Sequence, residues 1–165
     1  MNTLAVVDTS YLCEWMRVPD YTNNEDADEI DKRFASAAGK GWSFYLPLPC
    51  LFELADHITD CGHSKQRREL AVKLRDQLVA SLNGSGPWIL WPAPRPEEDL
   101  TDVFDHWVKN NVVQKVGITD TATAKTAHHL KEKYHSLGYK VHIWTKDSRL
   151  KALEPDKESD SFCGF

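Results

Sequence analysis

No run of apolar residues in this 165-residue chain approaches the roughly 20 that a membrane-crossing helix needs. The N-terminus also lacks the basic-then-apolar pattern of a secretory leader. These two gaps predict a cytoplasmic protein without membrane contact. The four cysteines, Cys13, Cys50, Cys61 and Cys163, include no CxxC pair and no even framework, which predicts reduced thiols. His57, Cys61 and His63 match no strong zinc spacing and have no evident fourth ligand. Bases are fewer than acids, 20 against 25, and the formal net charge of -5 argues against a protein that binds nucleic acid over its whole surface. It leaves room for a local basic rim around an acidic, cation-loaded pocket, because bound cations count together with the carboxylates.

The length suits one domain with a real core. Leu4-Ala5-Val6-Val7 is an apolar run that ends at Asp8-Thr9-Ser10, the pattern of a buried parallel strand closing on a carboxylate. In open α/β sheets ligands bind beyond the carboxyl ends of the strands. Asp8 therefore stands where a site is expected, and a first helix opens at Tyr11–Trp15.

From Asp20 to Asp31 come six acids (Asp20, Glu25, Asp26, Asp28, Glu29 and Asp31) and no base. That composition predicts a solvated loop and an acid-rich first helical turn, with a docking surface for a basic partner as the alternative. Trp42–Pro47 reads as a second strand. Pro49 then sits at a helix start, followed by the stripe Leu51, Leu54, Ala55 and Ile58, with Glu53 beside it. A long amphipathic helix spans Ser64 to Asn83, with Leu70, Leu74, Leu78 and Leu82 expected inside and Gly84 as its stop. Its outer face (Lys65, Arg67, Arg68, Lys73 and Arg75) is either solvated or tracks a phosphate backbone.

Pro87–Pro92 is a short proline-bracketed strand. A helix from Pro96 follows, with Leu100, Val103, Phe104, Trp107 and Val108 as its stripe. Asp120 opens the next helix, whose stripe is Ala127, Leu130, Tyr134 and Leu137, and an N-cap is its ordinary role. Tyr139–Thr145 is a last strand, again ending at an acid, Asp147, which also suits a cap for the helix Ser148–Leu153. The polar tail, 154–165, is expected to be loose up to its last residues. Strand and helix alternate throughout, which predicts an α/β fold with a central parallel sheet.

Asp8, Glu53, Asp120 and Asp147 each have a routine use alone. In a doubly wound sheet all four positions face one edge, and two carboxylates ~4 Å apart repel by about 4 kcal/mol at an effective dielectric near 20. Protons or divalent cations must neutralise such a group. Oxygen donors without a histidine or cysteine set favour Mg²⁺ or Mn²⁺. Thr9, Ser10, Thr119 and Thr145 are placed to support bound water or a phosphate oxygen. Lys125, Lys131, Lys133, Lys146, Arg149 and Lys151 follow the third and fourth acids as a candidate basic rim for nucleic acid.

VVDTSYL, the acid in PCLFELADHI, ITDTATAKTA and VHIWTKDSRL resemble, in order, the four acidic motifs of PIN-domain nucleases, from Leu4 to about Leu153. The resemblance implies a three-layer α/β/α sandwich over residues 1–153. It also implies Mg²⁺- or Mn²⁺-dependent hydrolysis of RNA, less often DNA, with Asp8, Glu53, Asp120 and Asp147 as the metal-binding, catalytic acids. Many small bacterial members are stand-alone toxins of toxin-antitoxin pairs that commonly dimerise, so an antitoxin, a second copy or a role in a defence module is implied here. The acidic Asp20–Asp31 segment, the Trp- and Pro-rich Gly86–Pro96 stretch and the polar tail depart from the compact toxins. Two other readings stay open. Aspartate-nucleophile phosphatases also use an acid after the first strand, but they need a second acid two residues on, where this chain has Ser10. A catalytically silent PIN-like module binding RNA or protein is the non-enzyme alternative.

Overall fold

The computed structural model describes residues 2–91, 102–103, 105–111 and 116–164. Four strands, β1 (Thr3–Val7), β2 (Ser43–Pro47), β3 (Trp88–Trp91) and β4 (Lys140–Trp144), form one all-parallel sheet in the order β3-β2-β1-β4. Between them run α1 (Thr9–Met16), α2 (Asn24–Gly39), α3 (Leu48–Thr59), α4 (Ser64–Leu82) and α5 (Ile118–Tyr134), and α6 (Ser148–Lys151) follows β4. Among the described residues, no helix is long and apolar enough to cross a membrane. The predicted helix from Pro96 lies largely outside the described residues; its described end, Trp107–Asn111, is a short π-helical turn.

Successive side chains of a strand point to opposite faces, and β1 is buried on both. Ala5 and Val7 pack with Phe44, Leu46 and Trp88 and with Leu12, Ile30, Phe34, Leu54 and Ile58, side chains of α1, α2 and α3. Leu4 and Val6 pack with Val141, Ile143, Ala124, Ala127 and Leu130, which brings α5 to the other face. Chain direction accounts for this division. From β1 to β2 to β3 the chain steps one way across the sheet, and then it returns past β1 to reach β4. With right-handed crossovers the two directions place their helices on opposite faces. The result is a parallel sheet with helices on both faces, as a three-layer α/β/α arrangement requires. The reversal also puts the switch point between β1 and β4, where a crevice opens at the carboxyl ends.

Two stripes run shorter than expected. Leu82 is 69% exposed and Leu137 67% exposed. Nineteen helical residues span about 28 Å, whereas a five-residue strand spans about 16 Å, so α4 is longer than the strands can cover. Leu137 falls in a 3-10 turn after α5 has ended.

The C-terminal tail is not loose. β4 is an edge strand, whose unpaired backbone groups invite another strand. Here the tail covers them with side chains. The Asp156 carboxylate accepts from Val141 N (2.8 Å) and the Glu154 carboxylate from Ile143 N (3.3 Å), while Lys151 Nζ donates to the Ile143 carbonyl (2.9 Å). Farther on, Tyr11 Oη donates to the Phe162 carbonyl (2.7 Å), and Phe162 packs against the core. Polarity alone therefore misled: the acids are docked on lysines and backbone amides.

Burial works against the Glu154 charge, but bonds from His142, Lys151 and Glu158 N hold its carboxyl down to about 2. A depressed acid stabilises the fold above its unfolded pKa and loses that contribution as pH falls toward the folded value. Glu154→Gln is therefore expected to lower stability by about 3 kcal/mol at pH 7, with the gap closing between about pH 4.5 and pH 2. Denaturant unfolding of both proteins across that range measures it, and parallel profiles would refute the assignment.

Candidate functional site

The carboxyl end of β1 delivers Asp8 as the N-cap of α1. Three donors converge on its Oδ2: Ser10 N (3.2 Å), Ser10 Oγ (2.8 Å) and Thr145 Oγ1 (2.9 Å). The side chain is buried, and none of these bonds falls on Oδ1. Thr145 also accepts from Asp147 N (3.0 Å), and Ser10 Oγ accepts from Lys146 N (2.9 Å). The ends of β1 and β4 are thus tied through two hydroxyls, at the switch point that the sheet order creates. Thr9 turns the other way and donates to Glu53 Oε2 at 2.6 Å, which joins α3 to the group.

Asp120 lies in the first turn of α5, but the N-cap is Gly117, not Asp120. The carboxylate instead reaches back to the Gly117 amide, as the third residue of a capping box does. Burial, with the charges of Asp8, Asp147 and Glu53, lifts its carboxyl from the ordinary 3.8 to about 6. Asp147 caps α6, with Oδ1 accepting from Arg149 N (2.7 Å) and Leu150 N (3.4 Å) and Oδ2 lying 3.5 Å from Arg149. Burial opposes its charge, yet those two amides and Arg149 hold it below the usual aspartate range. The two acids are thereby shifted in opposite directions, Asp120 up and Asp147 down.

All four predicted acids therefore meet in one electrostatic neighbourhood. Three of the four predicted hydroxyls join them; Thr119 enters only by its backbone, its carbonyl accepting from Thr123 Oγ1 (3.0 Å). The predicted basic residues do not form one rim. Lys131 bonds the Tyr139 carbonyl and Asp156 near the start of β4, at the opposite end of the sheet. Lys151 is buried against Glu154 and Glu158. Lys133 lies over the Trp91 ring, Lys125 pairs with Asp102, and Lys146 is held by Glu14 and Asp26. Only Arg149 remains at this edge with a largely exposed side chain, 71%.

Glu14 and Asp26 had no sequence signal as part of the site. Glu14 sits wholly inside the protein, and Asp26, read as part of a solvated acidic stretch, is buried too. Burial disfavours the Lys146 ammonium, but bonds from Asp26 and Glu14 outweigh it and hold the amine above the ordinary lysine range. Arg17 likewise binds Asp28 and Asp31 (2.8 and 2.9 Å), so the acidic segment is partly neutralised from within.

The cysteines play another part. All four are free; burial pushes the Cys13 thiol up to about 12 and raises Cys50 and Cys61 as well, which makes these three poor nucleophiles. His57 stacks on Tyr21 and does not join a zinc set.

The donor chemistry suits a hard divalent cation: four carboxylates share one edge, and burial first, then the neighbouring acids, raises the Asp120 carboxyl to about 6. Among the described residues, no three acidic, histidine or cysteine side chains are already gathered closely enough to hold an ion. Without a cation, ionising Asp120 destabilises the fold above about pH 6, since a raised acid adds stability only as pH falls through its folded value. Asp120→Asn in EDTA at pH 8 is expected to be more stable than the parent by about 1–2 kcal/mol, discounted for partial exposure. Urea unfolding tests this, and a less stable variant would contradict it. Protein-family models and curated proteins were compared with the chain, and neither gives a match.

Proposed function

We propose that the chain is a Mg²⁺- or Mn²⁺-dependent nuclease with a PIN-like fold that hydrolyses phosphodiester bonds in RNA. The observation that supports this reading is the convergence of Asp8, Glu53 and Asp147 on Asp120 at the carboxyl edge of the sheet. Such a group repels itself, so it has no use as a scaffold and an evident one as an oxygen cage for cations. In this reading Asp8, with Asp120 opposite, holds the ion, and Asp147 and Glu53 complete the charge. When bound, the ion lowers the pKa of a water and stabilises the departing oxygen. The chain's own hydroxyls orient the carboxylates: Ser10 and Thr145 fix Asp8, and Thr9 fixes Glu53. No side-chain nucleophile takes part.

Action as the toxin of a toxin-antitoxin pair, or as the effector of a defence module, belongs to the same proposal. It carries a cytoplasmic location and a neutralising protein partner with it. A catalytically silent module is the second reading, favoured by one observation: Asp8 Oδ2 and Asp147 Oδ1 are already occupied by donors of the chain itself. End-labelled single-stranded RNA and DNA, incubated with the protein in Mn²⁺, Mg²⁺ or EDTA, separate these readings. Metal-dependent cleavage of RNA is expected; cleavage of DNA alone moves the substrate, and intact RNA and DNA in every condition support the silent module.

A further inference from the structure

A cavity of about 500 Å³ lies between α2, the outer edge of β4 and the docked tail, reaching the N-terminal ends of β1 and β4. That size is within the range of small-ligand sites. Five cations line it (Lys32, Arg33, Lys40, Lys140 and Lys157) against three acids, in a chain whose net charge is -5. Two of those acids are already engaged: Glu158 by Lys151 and Arg33, and Asp160 by Arg33. Among the described residues none of the four lysines has a carboxylate at ion-pair distance, and Arg33 Nε is enclosed without an acceptor. Glu29 is the remaining lining acid beside four exposed lysines, so the cavity carries an excess of positive charge that an anion would neutralise.

The wall is also aromatic. Trp42 is half-buried there, its ring stacked against His142 (centroids 5.6 Å apart, 28° between planes) and backed by Trp144 at 5.6 Å. A flat ring among ammonium groups suits a base that stacks while its phosphates meet the lysines. A carboxylate peptide or bare polyphosphate uses only half of these features.

We infer that this cavity binds a nucleotide, the base on Trp42 and the phosphates among Lys32, Lys40, Lys140 and Lys157. The ligand is either a free nucleotide or a nucleotide unit of an RNA strand, which share this chemistry. The inference does not depend on the acidic cluster: binding is read in EDTA, so its failure leaves the nuclease reading intact, and failed cleavage leaves this site intact.

The test is calorimetric titration of the full chain in EDTA and low salt with ADP, a short oligoribonucleotide and inorganic tripolyphosphate. ADP or the oligonucleotide is expected to bind, and the tighter of the two identifies the source. Lys40 and Lys140 are exposed, so the K40E/K140E double variant should fold normally and weaken binding about tenfold or more. Trp42→Leu should weaken ADP about tenfold and leave tripolyphosphate unchanged. Three results overturn the inference: no binding of either nucleotide at millimolar concentration, K40E/K140E binding like the parent, or tripolyphosphate binding as tightly as ADP.

Discussion

Asp8→Asn is expected to reduce metal-dependent RNA cleavage by on the order of a hundredfold to a thousandfold while the protein remains folded. All three bonds that hold the side chain fall on Oδ2, and the carbonyl oxygen of asparagine can accept them in the same place. The amide then replaces Oδ1, which carries none of those bonds. A donor stands where a cation needs an acceptor, and one negative charge is gone. Ser10 and Thr145 keep their partner, so β1 and β4 stay joined. Circular dichroism with the end-labelled RNA assay measures both halves. A folded Asp8→Asn protein that cleaves at the parent rate would remove Asp8 from the chemistry, and an unfolded one would make its role structural.

The largest loss of stability is expected from Lys146→Met. Lys146 Nζ binds both Glu14 and Asp26, whose side chains are 0% and 3% exposed. Removing the cation leaves two enclosed carboxylates facing each other, and breaking such a buried pair costs about 3–5 kcal/mol. For a chain of this size that lowers the melting midpoint by roughly 10 °C. Adding Glu14→Gln should recover part of the loss, because it removes one of the two buried like charges. Thermal unfolding at pH 7 compares the three proteins. A loss under about 1 kcal/mol for Lys146→Met would mean that the triad behaves as a surface pair. Lys146 also connects this triad to the site, since its backbone N donates to Ser10 Oγ and its neighbours are Thr145 and Asp147.

Sequence and structure agree where a local signal had only one solution. Leu4–Val7 followed by Asp8 describes a central strand whose end faces the crevice, and the helix–strand alternation describes the parallel sheet. Asp147 was legible twice, as the cap it is and as an acid at a strand end. Asp120 was placed at the right helix start, but the capping box from Gly117 was not foreseen, because glycine offers no side chain to mark the cap. The Glu14–Lys146–Asp26 triad stayed hidden for a physical reason: an acid within LCEWM and one within an acidic run look solvated until tertiary packing brings a lysine from 120 or more residues away. The same holds for the tail. Glu154, Asp156 and Glu158 read as loose by composition, yet they find partners in β4, Lys131, Lys151 and Arg33. The basic rim failed in the same way, because closeness in sequence along α5 and β4 places Lys131 at one end of the sheet and Arg149 at the other.

If the four acids form a cation site, thermal unfolding of the parent and Asp120→Asn proteins in EDTA and then in millimolar Mn²⁺ reveals it. A cation at 100 times its dissociation constant adds about 2.7 kcal/mol, roughly 5–10 °C in midpoint for a chain of this size. The parent is expected to gain that stability in Mn²⁺, and Asp120→Asn to start higher in EDTA and gain little. No response of the parent to millimolar Mn²⁺, or an equal response in both proteins, would contradict it.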